Sequence, residues 1–467
     1  MTPRALSRFL PAFVSLCLPA FSGGADWSQW RGPAGTGVAS ESAPTTWSDT
    51  ENVKWKAEIP GRGVSTPVAW GDRLFVTTAV PIRGEEAKPS DEEGQADEKD
   101  QFALRPPQGQ DGGMQGRRRR GGMRGDDGPP PPQLVHDFTV LCLDRKSGDI
   151  LWKKVLRREK PNEGFHKQYG SHASHSPVVE DGRLYVSFGS RGLYCLDHDG
   201  KLIWEVDYGV TMTMRRAFGE GGSPLLYEGK IVQVMDQEGD SFIVCVDKDT
   251  GEVSWRHDRD EPSGWSQPIG IEVDGQHQVI ASGTNRVRGY DLKTGEVVWE
   301  CGGLGLNAIP VPVLQDDHVI VMTGFRGANM MSIQFTEEGD LTDSEAVAWT
   351  SQKGASYTPS PVLHDGRLYC LMDRGFLSCF DAKTGDPHYL ETRLPRGSNY
   401  KASPVAAGDK LYVAGESGEV HVIAMGDEYK LLHTNTLEGE FFVSSPIVAG
   451  GDLFLRGLTH LICISED

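Results

Sequence analysis

A chain of 467 residues with a formal net charge of −19 is too acidic for a general nucleic-acid binder, whose surface must neutralise phosphates. The length would hold two or three ordinary domains, but one pattern repeats along the chain, and a ring or stack of repeats behaves as a single continuous core. No window sustains a helical period, so that core is built from strands.

Arg4 and Arg8 precede the apolar run FLPAFVSLCLPAF, and small residues Ser22 to Ala25 follow it. This layout predicts a secretory signal peptide over residues 1–25 and a periplasmic or extracellular protein starting at Asp26. The run is too short and too proline-broken to span a membrane, and no later segment is long enough. An acylated Cys17 is disfavoured by the bulky Leu16 before it, though outer-membrane association is compatible with the rest of the chain.

After a leader reading Trp27-Ser28-Gln29-Trp30-Arg31-Gly32-Pro33, followed by Gly35 and Gly37, comes NVKWKAEI with Trp55. Eight strand-opening prolines then follow: Pro67, Pro177, Pro224, Pro268, Pro312, Pro361, Pro404 and Pro446. After the first interval they lie roughly 42 to 49 residues apart, the spacing of four-stranded propeller blades. Behind each proline, apolar residues alternate with polar ones around Asp-Gly, Glu-Gly or Gly-Asp bends, as in VAWGDRLFVTT and VVEDGRLYVSF, where a hairpin needs positive φ.

The closing half of each unit runs Asp, a turn ending in Gly, then Trp: Asp144, Gly148, Trp152; Asp197, Gly200, Trp204; Asp247, Gly251, Trp255; Asp291, Gly295, Trp299. Later copies are looser, with Trp349 after a longer loop, Tyr389 in place of Trp, and Leu432 at the seventh. A Trp at this spacing can wedge between neighbouring blades, so Trp55, Trp152, Trp204, Trp255, Trp299 and Trp349 are the candidate docking residues. The eighth unit has no closing Trp, and residues 53–59 have no opening strand. The expectation is an all-β, eight-bladed propeller over residues 26–467, made of four-stranded antiparallel blades and closed by that N-terminal strand.

Residues 79–135 interrupt blade 1. EEAKPSDEEGQADEKD is acidic and GRRRRGGMRGDDGPPPP is basic and then Pro-rich, a composition that predicts a disordered, charged insertion. Cys142, Cys195, Cys245, Cys379 and Cys463 hold one repeat position and cannot pair across blades, so they read as small apolar side chains. A two-residue turn at Arg374-Gly375 would bring Cys370 opposite Cys379, where they could oxidise.

The signature of VDKDTGEVSW and YDLKTGEVVW resembles the tryptophan-docking repeat of the pyrroloquinoline quinone (PQQ) propeller superfamily, which holds both quinoprotein dehydrogenases and the non-catalytic assembly factor BamB. The leader resembles that of secreted BamB-like repeat proteins common in Planctomycetes. The dehydrogenase branch implies a vicinal Cys-Cys pair, a Trp floor and a calcium-holding carboxylate set, and no Cys-Cys dipeptide or haem motif occurs in this chain. No cofactor, metal or catalytic residue is therefore expected. His166, His172 and His175 do not share a face as zinc ligands would, and Asp236, Glu238 and Asp240 read as a solvated hairpin bend rather than a calcium loop. Asp258, Asp260 and Glu261 read as ordinary loop charge.

An aromatic or basic residue recurs shortly before the opening prolines: Arg215, Arg216, Trp265, Tyr357, Tyr400 with Lys401, and Phe442. Loops into the innermost strands gather round one mouth of a propeller channel, so this collar is the candidate ligand site. The reading that follows is an exported, non-catalytic scaffold that binds another cell-envelope protein. The alternative is a small-molecule binder or PQQ-dependent oxidoreductase using the channel mouth.

Overall fold

The computed structural model describes residues 26–83, 132, 134–395 and 397–466. Expectations for residues 1–25 and for the body of the charged insertion lie outside them. Eight sheets of four antiparallel strands form the ring. Blade 1 comprises Val68–Trp70, Arg73–Pro81, His136–Asp144 and Ile150–Glu159. The other inner strands are Val178–Glu180, Leu225–Tyr227, Ile269–Val273, Val313–Gln315, Val362–His364, Val405–Ala407 and Ile447–Ala449. Each begins just behind its proline, which lacks an N–H for a ladder and so stands at a strand start.

Val53–Glu58 closes the ring as the outer strand of blade 8, with Trp55 opposite Cys463. Two blades carry a fifth strand: Gly339–Asp340 pairs in parallel with the outer edge of blade 4, and Val38–Ala39 with the inner edge of blade 7. In blade 1 the second strand runs to Pro81, past the expected end at Thr78, because Ala79, Val80 and Pro81 continue the ladder against Phe138, Asp137 and His136.

The docking residues work through one geometry. Each stands opposite a small residue on the neighbouring strand of its own blade, as Trp152 does opposite Cys142, Trp204 opposite Cys195 and Trp255 opposite Cys245. The free side leans onto the turn glycine of the next blade. The indole N–H of Trp55, Trp152, Trp204, Trp255 and Trp349 donates to the carbonyls of Arg145, His198, Lys248, Leu292 and Ala382, at 2.8–3.2 Å. A Cβ on Gly148, Gly200, Gly251, Gly295 or Gly385 would lie 2.6–3.0 Å from the ring it faces.

Trp299 departs from this pattern. Blade 5 replaces the tight turn with a long loop, so Trp299 folds back over Gly289 of its own blade and donates to Gln278. Leu432 is exposed, and His433 takes the place opposite Val422. The expected Cys370–Cys379 pairing fails. Three residues, Asp373 to Gly375, separate the two strands, which sets Cys379 opposite Tyr369 and Cys370 opposite Ser378. The thiols point to opposite faces of the sheet, and both are free.

In each meander, the loop into the inner strand and the hairpin between the second and third strands open on one rim, here called upper. The residue just before each opening proline ties the blades together there. The N–H groups of Thr66, Ser176, Ser360, Ser403 and Ser445 donate to the side-chain hydroxyls of Ser176, Ser223, Ser403, Ser445 and Thr66, at 2.9–3.2 Å. The circle breaks where Gln267 and Val311 replace the hydroxyl residue. There Ser266 Oγ donates to Pro310 O at 3.0 Å.

The leader fills the channel. Asp26 caps the lower hairpin of blade 1 by accepting from Gly71 N, and Trp27 bridges Ala69 on the inner strand above it. The chain then turns at Trp30 and Arg31 and descends beside blade 7 at Val38–Ala39. At the turn, Trp30 Nε1 donates to Ser445 Oγ at 3.2 Å, and Arg31 donates to Pro404 O at 2.9 Å and Pro361 O at 2.8 Å. A channel open at both ends in a bare ring becomes a blind cup opening on the upper rim.

Candidate functional site

The cup has a volume of about 190 Å3. Trp30 and the hydroxyl residues Thr66, Ser176, Ser223 and Ser445 line its base, and Tyr169, Phe218, Trp265, Tyr357, Glu220 and Lys401 line its sides. Trp265 sits on a loop fixed by Trp265 Nε1 donating to Gly219 O at 2.8 Å. Its backbone N–H also donates to Ala308 O. Tyr357 accepts from Asn307 Nδ2 at 3.0 Å, and burial pushes its hydroxyl pKa up. Lys401 Nζ pairs with Asp373 and lies 4.7 Å from the ring centroid of Tyr169, on which His166 stacks at 3.5 Å.

Of the collar read from the sequence, Trp265 and Tyr357 meet across the cup. Tyr400 is fully buried between blades 6 and 7, its hydroxyl 2.8 Å from His421 Nε2. Phe442 is fully buried in the core around blade 8. Arg215 and Arg216 form a short turn whose following residue, Phe218 after Ala217, reaches the wall; neither arginine lines the cup. Trp30, Tyr169, Phe218 and Glu220 were not singled out. Only Trp30 carried a signal, as part of the leader motif.

Charges read as solvated are partly internal. Asp236 is 1% exposed and accepts from Arg259 Nε at 2.7 Å and Nη2 at 3.0 Å. Glu261 is buried beside Arg288, with Oε1–Nη1 at 2.9 Å. Both pairs lie at the upper ends of blades 3 and 4 and hold the loop that carries Trp265. Among the described residues, no three His, Cys, Asp or Glu side chains gather to hold a metal. His172 packs against Phe165 and His136 instead, at 4.7 and 5.0 Å between ring centroids.

Burial holds His172 at a pKa of about 3 and His175 at about 4, against 6.5 for an ordinary histidine. Between those values the unfolded chain takes up protons that the folded chain excludes. Their contribution to stability is therefore complete above about pH 6.5 and is lost as pH falls toward 4, by several kcal/mol in order of magnitude. Glu163, pushed up to about 7 by burial, acts in the opposite sense, but it is partly exposed and screened. The urea midpoint is expected to drop on acidification from pH 7 to pH 4, and His172→Phe is expected to flatten the drop. An unchanged slope in that variant would contradict the assignment.

An eight-bladed ring locked by tryptophans over turn glycines, with a cup at one end of a plugged channel, is a β-propeller of the PQQ-repeat type. The family model described as outer membrane protein assembly factor BamB matches residues 136–388, more than half of the chain, and the chain belongs to that family. No curated protein matches it. Among solved structures, BamB from Moraxella catarrhalis is 15% identical, with a TM-score of 0.50 over 73% of this chain and 96% of that one. A europium-containing methanol dehydrogenase is 10% identical, with a TM-score of 0.59 over 94% and 91%. The quinohemoprotein alcohol dehydrogenase of Comamonas testosteroni is 11% identical, with a TM-score of 0.59 over 95% and 81%. At these identities the likeness is one of fold.

The dehydrogenase folds raise the question of a quinone, and the cup is small for PQQ. Its three rings and three carboxylates would have to enter about 190 Å3, below the ~300 Å3 at which cofactor pockets generally begin.

Proposed function

We propose that the protein is a non-catalytic docking scaffold of the cell envelope, holding another protein against its upper rim with one partner side chain seated in the cup. The observation that carries this reading is the size and lining of the cup. About 190 Å3 walled by Trp30, Trp265, Tyr357 and Phe218 suits one or two large side chains, the form a hot-spot pocket takes in a protein interface. Membership of the BamB family supports a protein partner and an envelope location, and no helix among the described residues is long and apolar enough to cross a membrane. The aromatic walls also favour a second reading, a small planar ligand.

Joint Trp265→Ala and Tyr357→Ala substitution is expected to weaken partner capture from envelope extracts by tenfold or more, since hot-spot aromatics are each worth about 2 kcal/mol or more, while the ring stays folded. Undiminished capture by the folded double variant would reject the cup as the anchor. A thermal shift with a small planar ligand, lost in the same variant, would favour the second reading.

A further inference from the structure

The buried arginines of the ring are of two kinds. Arg191, Arg259 and Arg288 are buried and each meets a carboxylate: Glu220, Asp236 and Glu261. Arg31 and Arg456, each 1% exposed, meet none among the described residues. Arg31 bonds the carbonyls of Pro361, Pro404 and Thr36. Arg456 bonds Ser65 O and Thr77 O at 2.7 and 2.6 Å, together with Ser65 Oγ. The partly buried Arg62 donates to the carbonyls of Gly170, Lys167 and Gln168 at 2.8–3.0 Å. None of the three lines the cup itself, but Arg31 follows Trp30, Arg62 lies two residues before Val64, and Arg456 bonds Ser65, which stands between the cup residues Val64 and Thr66. Burial lowers Arg31 and Arg456 to about 9, which leaves both charged at neutral pH.

A buried cation without an acid partner is costly, and Arg31 and Arg456, with the partly buried Arg62, set three such charges behind the lining of the cup. The carboxylates there already have partners of their own. Asp373 takes Lys401 and both Thr358 donors and Glu220 takes Arg191 and Ser190 N, while Glu416 accepts from the neutral amide of Gln168 and burial raises its pKa.

The base of the cup points the same way. Thr66, Ser176, Ser223 and Ser445 each accept a backbone N–H of a neighbouring blade on the side-chain oxygen, and Ser445 also accepts Trp30 Nε1. A hydroxyl that accepts keeps one proton to donate. None of these four donates to an acceptor among the described residues, and all four line the cup. Four O–H donors facing one cavity, backed by uncompensated guanidinium charge, form a receptor for an anion.

We propose that the group seated in the cup is a carboxylate on a short apolar stem, an acidic side chain of the partner, received by the hydroxyls of Thr66, Ser176, Ser223 and Ser445. This inference rests on the docking reading and names the chemistry of its anchor. The apolar walls of Trp265, Tyr357 and Phe218 pack the stem, and the donors below take the oxygens.

The test is calorimetric titration of the full chain with phenylacetate and its neutral isostere phenylacetamide, and with an acetylated, amidated Glu-containing pentapeptide and its Gln twin. Phenylacetate is expected to bind roughly tenfold or more tightly than the amide at low salt, with the gap narrowing as salt rises. Arg62→Gln is expected to weaken phenylacetate binding several-fold more than phenylacetamide binding, whereas general loosening of the loop would weaken both alike. A Glu-over-Gln preference supports the protein carrier, whereas preference for phenylacetate with indifferent peptides assigns the carboxylate to a small acid and overturns that carrier. Equal binding of acid and amide, or binding of neither, overturns the inference. The docking reading is judged separately, by the effect of the Trp265 and Tyr357 substitutions on partner capture.

Discussion

Asp236→Ala is expected to cost about 3–5 kcal/mol, because it leaves the guanidinium of Arg259 charged and buried without its acid partner. The pair is fully enclosed, with side-chain exposures of 1% and 0%. Arg259 also donates to Tyr290 Oη at 2.6 Å on blade 4. The single substitution therefore loosens the seam between blades 3 and 4 as well as the hairpin. Any shift of the hairpin reaches the site through the backbone, where Asp236 O accepts from Gly264 N at 3.5 Å and Trp265 follows directly. The joint change Asp236→Leu with Arg259→Met removes both charges and is expected to recover most of the loss. Urea unfolding of the three proteins decides this, and a cost below about 1 kcal/mol for Asp236→Ala would mean that water reaches the pair.

Gly295→Ala and Gly275→Ala form a matched pair from one blade. Both glycines have positive φ, +77° and +80°, so each substitution carries the left-handed penalty of about 1–2 kcal/mol. They differ in what the new methyl meets. At Gly275 nothing lies within 4 Å, whereas at Gly295 the ring of Trp255 lies at 2.6 Å. Crowding there is expected to add about 1–3 kcal/mol and to displace the indole from Leu292 O, a hydrogen bond of 2.8 Å. Equal destabilisation by the two alanines would show that the docked tryptophan yields freely and that the glycine serves its turn alone.

The ring was legible in the sequence because its determinants are local. A proline at a strand start, a glycine in a hairpin and a Trp four residues on are each set within a few positions, and the eight inner strands and the closing strand at Trp55 follow from them. What failed depends on partners distant in the chain. Trp299 has the same local motif as Trp255, yet its direction is decided by the loop of the next blade. Tyr357 and Tyr400 both stand four residues before their proline, but Tyr400 is drawn into the seam by Gly375 and His421 while Tyr357 faces the cup. Asp236 and Glu261 look like surface charge until Arg259 and Arg288 are brought over them. The leader carried a recognisable motif, but nothing in its residues says that it threads the channel, because the backbone it bonds comes from blades 1, 2, 6 and 7, with Ser28 O accepting from Val179 N on blade 2.

The central claim is that the upper rim binds a protein through the cup. Its most direct test is site-specific photocrosslinking in intact cells, with a photoreactive aromatic residue replacing Ile309 on the cup wall or Lys383 on a lower-rim turn. One protein adduct is expected from position 309, lost when Tyr357→Ala is added, and no such adduct from position 383. An adduct from 383 alone, or one from 309 that is indifferent to Tyr357, would contradict it.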